Sequence, residues 1–205
     1  MPVATDKQVL HASEQRLTAE VAALFPFQRE WNEDAYFALP DTNRFIELCQ
    51  GELIMPPHPT HRHQRVVGRA YRLLSDFVED RNLGIVQVAP LPVRLGPDHV
   101  REPDVLFLLN EHADRIGDQC WGPPDLAVEV ISPGTRKADR QDKLREYAQA
   151  GIGEYWLLDP EAETIEVYVL RKRAYRLWVK AARGETAASQ LLTGFKPRVD
   201  EVFAK

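Results

Sequence analysis

The stretch between residues 126 and 158 limits the fold more than any other. Two short apolar runs, 126–131 and 155–158, bracket a segment of helical period, 137–150, that ends at Gly151, a residue suited to the left-handed cap of a helix. Strand, helix, strand in that order requires a crossover, and a crossover makes the two strands parallel neighbours. Within the first run the only charge is Glu129. Side chains alternate along a strand, so Leu126, Val128 and Val130 take one face while Ala127, Glu129 and Ile131 take the other. A carboxylate held in such a strand needs a cation or a paired charge, because burying it alone is costly.

Before this unit the pattern is helical over residues 61–81, where Val66, Val67, Ala70, Tyr71, Leu74, Phe77 and Val78 repeat at the helical period. His63 lies three and four positions before Val66 and Val67 and so points with the apolar stripe. Strand patterns follow at 84–95 and 103–109 and are expected to pair as an antiparallel hairpin around Gly96, Pro97 and Asp98. Pro103 and Asp104 open the second of these strands. The central order is therefore helix, strand, strand, strand, helix, strand, an αβββαβ core with a mixed sheet flanked by helices. Two further hairpins frame it. One joins 44–48 to 52–55 across Gln50 and Gly51, and the other joins 164–170 to 174–179. A short helix over 32–39, capped by Asn32 and stopped by Pro40, precedes the first hairpin. Residues 1–29, with an amphipathic stretch at 17–24, read as an extension of one domain that spans 30–205.

The chemistry of the acids points to a hard cation. Asp104 and Glu129 stand at neighbouring strands, and two carboxylate ligands suit Mg²⁺ or Mn²⁺, which bind through few carboxylates plus substrate phosphates. No Cys/His spacing of the zinc-finger kind is present: His58, His61 and His63 lack a matching pair, and Cys49 and Cys120 lie far apart and read as reduced thiols. A net charge of −5 disfavours a protein that coats nucleic acid nonspecifically, while leaving room for a nuclease with a local basic surface. Such a surface is suggested by the second hairpin, where Arg171, Arg173 and Arg176 stand with Lys172, Lys180 and Arg183 and no acid intervenes. Those arginines are the expected phosphate contacts, against the plainer reading of a solvated edge strand protected by its cations. No apolar stretch reaches the roughly 20 residues that a membrane span needs, and the N-terminus lacks a signal-peptide layout, so a cytoplasmic protein is expected.

The stretches ELCQGELIMPP, HQRVVGRAYRLL, EPDVLFL, PDLAVEVISPGTRKADRQDKLREYAQAGIGEYWLLDP and LLTGFKP occur in this order. In them the chain resembles the PD-(D/E)XK restriction-endonuclease-like superfamily, and within it the Uma-type family of endonucleases. The resemblance implies metal-dependent hydrolysis of phosphodiester bonds, with DNA as the expected partner. It makes Asp104 and Glu129 the metal-binding acids, adds the backbone carbonyl of Val130 as a ligand, and expects a lysine two residues after Glu129. Ile131 stands there instead. The family also places a lysine in the following helix, within a run read here as Asp139, Arg140, Lys143 and Tyr147, which makes Lys143 the replacement. His63 and Glu52 match recurrent family positions and are expected to line the same cleft, whereas Glu47 reads as a solvated strand residue. The alternative is a nucleic-acid-binding or protein-interaction module that keeps the fold without the chemistry, and edge pairing of the 164–180 hairpin would allow a homo-oligomer.

Overall fold

A computed structural model of the 205-residue chain describes residues 29–39 and 45–204. The amphipathic stretch at 17–24 and the Pro40 stop lie outside the described residues. Asn32 caps the first helix, α1 (Glu33–Phe37), by accepting from the Ala35 amide at 2.9 Å. Strands β1 (Glu47–Cys49) and β2 (Glu52–Ile54) then form the expected hairpin, its turn made by Gln50 and Gly51, both at positive φ. The long helix α2 (His61–Glu79) starts where Thr60 accepts from the His63 amide, after a proline-rich approach.

The expectation of one strand over 84–95 needs correction. Residues Gly84–Val88 form β3 in the large sheet, and Val93–Gly96 form β4 in a separate small one, where β4 pairs with β5 (His99–Arg101). Pro90 and Pro92 have no amide hydrogen to give a ladder, so the chain leaves the first sheet at Ala89 and re-enters pairing only at Val93. The partner of β3 is β6 (Val105–Leu109), antiparallel as expected.

Next come β7 (Leu126–Val130) and the helix α3 (Lys143–Ala150), whose first turn, Ala138–Asp142, is wound as a π-helix. Gly151 closes α3 at φ 84°, the left-handed cap read from the sequence. Strand β8 (Glu154–Asp159) lies parallel to β7, as the crossover demands. The chain ends in the hairpin of β9 (Thr164–Arg171) and β10 (Ala174–Ala181) and a terminal turn, α4 (Val199–Val202).

The large sheet has the order β10-β9-β8-β7-β6-β3, and the small sheet β2-β1-β5-β4. One face of the large sheet packs Val105, Phe107, Val128, Val130, Trp156 and Leu158 against α2 and the C-terminal segment. The other packs Ala127, Ile131, Tyr155 and Leu157 under α3. The small sheet has its own apolar cluster, built on Tyr36, Leu48, Leu53 and Val100. The result is the mixed α/β arrangement of a restriction-endonuclease-like fold. Among the described residues no helix is long and apolar enough to cross a membrane.

Candidate active site

A cleft of about 240 Å³ opens where the C-terminal end of β7 meets the N-terminus of α2, the small sheet and the start of α3. His63, Asp104, Glu129, Val130 and Lys143 all line it, together with Glu47 and Arg101. The two acids are placed by register. Val105 pairs with Val128, and one step further the same register sets Asp104 opposite Glu129. Directly opposed residues share a face and stand about 5 Å apart at Cβ. Asp104 is then held by the Val130 amide, which donates to its Oδ2 at 2.7 Å, and by His63, whose Nε2 is 3.3 Å from the same oxygen. Burial alone would lower the His63 pKa, but the Asp104 carboxylate overrides it and raises the value, so this imidazole favours its protonated form.

Lys143 enters from the helix. Its Nζ lies 2.8 Å from Glu129 Oε1, 3.4 Å from Asp139 Oδ1 and 3.8 Å from Glu47 Oε1. Tyr147, one turn further on, donates its hydroxyl to the same Glu129 Oε1 at 2.5 Å. Ile131 is buried on this face, beneath α3, where the superfamily lysine would stand. The charge is thus delivered to Glu129 by a different element, while the strand position carries core packing.

Electrostatics within the cleft are unbalanced toward the acids. Burial pushes Glu129 up to about 8, helped by Asp104 and Asp139 and only partly offset by Lys143. Asp139 is likewise raised by burial against the pull of Lys143, and both of its oxygens are buried without a hydrogen-bond partner. Glu47 is lowered, because Lys143 and Arg101 outweigh the effect of its burial. Burial disfavours the Lys143 ammonium, yet Glu129, Glu47 and Asp139 together raise its pKa, so the side chain is a fixed cation and not a proton acceptor. Carboxylates remain in excess over Lys143 and Arg101. A divalent cation is the natural complement of that excess.

Hydrogen bonding also fits such an ion. Those to Asp104 fall on Oδ2 and those to Glu129 on Oε1, which leaves one oxygen of each carboxylate without a hydrogen bond in the cleft. Hard oxygen donors on adjacent strands match the ligand chemistry of Mg²⁺ or Mn²⁺.

Two sequence expectations are not met by the geometry. Glu52 does not line the cleft: it sits on the edge strand β2 beside the hairpin turn, half exposed, and pairs with Arg29 at 3.0 Å. Its place is taken by Glu47, on the inner strand β1, which is buried and was read as solvated. The basic hairpin is also displaced. Because β9 runs antiparallel to β8, the row that holds Glu129 continues through Leu157 to Glu166 and Lys180, and the turn at Arg171 and Arg173 lies at the other end of the sheet. That is roughly 16 Å along the strand, from Glu166 to Arg171 at about 3.3 Å per residue. Arg176 pairs with Val169, which by alternation shares the face of Val167, opposite to that of Glu129. Arg101 and Glu102 line the cleft and Asp139 supports it from beside Lys143, and no spacing in the sequence marks Arg101 or Glu102 as part of a site.

The sequence profile of the Uma2 family, described as putative restriction endonuclease, matches residues 33–200. The chain belongs to the Uma2 family. Among solved structures, a putative nuclease from Anabaena variabilis is similar in fold to this Uma2 protein, with a TM-score of 0.70 at 18% identity over 84% of this chain and 97% of the other. No curated protein matches it.

Proposed function

We propose that this Uma2 protein is a metal-dependent endonuclease that hydrolyses phosphodiester bonds in DNA. The observation that carries the reading is the pair of unbonded carboxylate oxygens, one on Asp104 and one on Glu129, set on one face of adjacent strands beside a buried ammonium. Asp104, Glu129 and the carbonyl of Val130 would hold Mg²⁺ or Mn²⁺. Bound there, the cation supplies Lewis acidity toward a phosphate and lowers the pKa of a water. The chain's own groups do the rest. Lys143, kept protonated by the acids around it, stabilises negative charge as it develops on the phosphate. His63, 3.3 Å from Asp104 Oδ2, fixes the rotamer of that carboxylate. Tyr147 holds Glu129 so that one oxygen faces the cleft.

A second reading has one observation in its favour. Among the described residues the polar contacts of Lys143 are all carboxylates, so the same residues also serve as an ion network in a nucleic-acid-binding or protein-interaction module without chemistry. Mn²⁺ titration by calorimetry and cleavage of single-stranded, duplex and branched DNA, for wild type beside Glu129→Gln, separate the two. The nuclease reading expects Mn²⁺ binding and cleavage in the wild type and neither in the variant. Cleavage equal in both proteins, or a wild type that binds no Mn²⁺ and cuts nothing, removes it.

A further inference from the structure

Behind the cleft, on the other side of Arg101, lies a second cluster that the nuclease reading does not use. Cys49 on β1 and His99 on β5 are directly paired across the small sheet, so their side chains share one face. Glu146, on the buried side of α3, reaches the same point. Cys49 Sγ is 3.7 Å from Glu146 Oε1, His99 Nε2 is 3.1 Å from Glu146 Oε2, and one ligand atom from each of the three residues lies within 4.8 Å of the others. Ligands on a tetrahedral zinc stand roughly 3.3–3.8 Å from one another when bond lengths are 2.0–2.3 Å. The cluster is already at that scale. His99 Nε2 adds an independent sign: it is buried and, despite its nearness to Glu146, out of line for a hydrogen bond with any group.

We infer that Cys49, His99 and Glu146 form a thiolate-containing site for a borderline transition metal, with Zn²⁺ the best match, separate from the oxygen-lined cleft. Thiolate, imidazole and carboxylate together select Zn²⁺ over Mg²⁺, whereas the cleft offers oxygen alone. Uptake of Zn²⁺ forms bonds to sulfur, nitrogen and oxygen, and any proton held on the thiol or the imidazole passes to solvent. Arg101 is the obvious objection, since its guanidinium lies 3.5 Å from Cys49 Sγ. That guanidinium is anchored elsewhere, however, by Glu47 at 2.7 Å, and it grips Glu146 through both oxygens at 2.8 and 3.1 Å. A partner of this kind orients a ligating carboxylate from outside the coordination sphere. Cys49 and His99 are only partly buried, which leaves an entry path and room for a water as fourth ligand. Such an ion would staple the small sheet to α3 one helical turn from Lys143.

The test uses tag-free full-length protein and Co²⁺ as the probe, with excess Mg²⁺ to occupy the cleft. The wild type, Cys120→Ser and Glu129→Gln are expected to show thiolate-to-cobalt charge-transfer absorption in the near ultraviolet, and Cys49→Ser to lose it. Zn²⁺ competition should give an affinity weaker by at least about 10-fold in Cys49→Ser, since losing even a group outside the coordination sphere costs that much. A second measurement needs no variant: alkylation of Cys49 in the wild type, followed by peptide mass spectrometry, should slow about 10-fold or more when Zn²⁺ is added, with Cys120 unaffected. Absence of charge-transfer absorption from the wild type, absorption that follows Cys120, or an alkylation rate of Cys49 indifferent to Zn²⁺ each overturns the site. None of these readouts is DNA cleavage, so the site and the nuclease reading fail separately.

Discussion

At the scale of single residues, the cleft is governed by too many acids for its cations. Glu129, raised to about 8 from an ordinary 4.5, favours the folded state when protonated. Its contribution to stability is therefore present below about 4.5 and is lost as the pH climbs to about 8 in the metal-free protein. A cation taken up below that pH must displace the proton. Mn²⁺ affinity is accordingly expected to rise by up to about tenfold per pH unit toward 8 and to level off above it, measured by calorimetry in buffers of differing ionisation enthalpy. A pH-independent affinity without proton release would mean that Glu129 is already ionised. Substitution by Gln keeps an acceptor for both Tyr147 and Lys143, so the metal-free Glu129→Gln protein should be at least as stable as wild type above pH 8, while binding no Mn²⁺. Lys143→Met is the opposite case. It leaves Glu129, Glu47 and Asp139 buried without their shared ammonium, a loss of about 3–5 kcal/mol. The deficit, read by urea denaturation, should shrink at acid pH as the carboxylates take up protons. A constant deficit would assign the effect to lost packing.

At the scale of elements, the π-wound turn at Ala138–Asp142 decides which side chains enter the cleft. A π turn carries one residue more than an α turn, and it lets Asp139 be buried beside Lys143 while Arg140 reaches outward to Glu166 at 3.0 Å. Deleting the exposed Gln141 should turn this segment into ordinary α-helix and swing Asp139 about 100° away from the ammonium. Circular dichroism is expected to stay native, because α3 and its Gly151 cap are untouched, while Mn²⁺-dependent cleavage falls. Retained activity would show that Asp139 tunes nothing at the site.

Across the whole molecule, the position of the basic hairpin separates two kinds of charge. Arg171 and Arg173 lie at the end of the sheet remote from Glu129, and Arg176 lies on its other face, so replacing Arg173 and Arg176 with alanine should leave the salt dependence of DNA binding unchanged. A slope shallower by about one unit per residue would instead require the substrate to wrap the edge strand. That edge also exposes Leu177 and Trp178, at a bulge in the β9–β10 register. A bulge twists an edge strand and discourages a second chain from pairing with it.

What the sequence settled by itself was local and periodic. The mid-strand acid, the apolar alternation around it, the helical stripe before it and the glycine after α3 together implied the αβββαβ order and put Asp104 and Glu129 on neighbouring strands, while the register that sets them opposite came from the structure. These follow from neighbours a few residues apart, and the strand and helix periods are written there. Tertiary structure alone decided the rest. Whether Glu47 or Glu52 met Lys143 depended on which strand of the first hairpin became the inner one, and that is settled by pairing with β5, about fifty residues on. The apolar pattern over 84–95 reads as one strand, and only the pairing of Val93–Gly96 with β5 shows that its second half founds another sheet. Cys49, His99 and Glu146 come from three distant segments with no spacing in common. Their meeting is a product of register between strands and of the packing of α3 upon them, and neither leaves a period for the sequence to display.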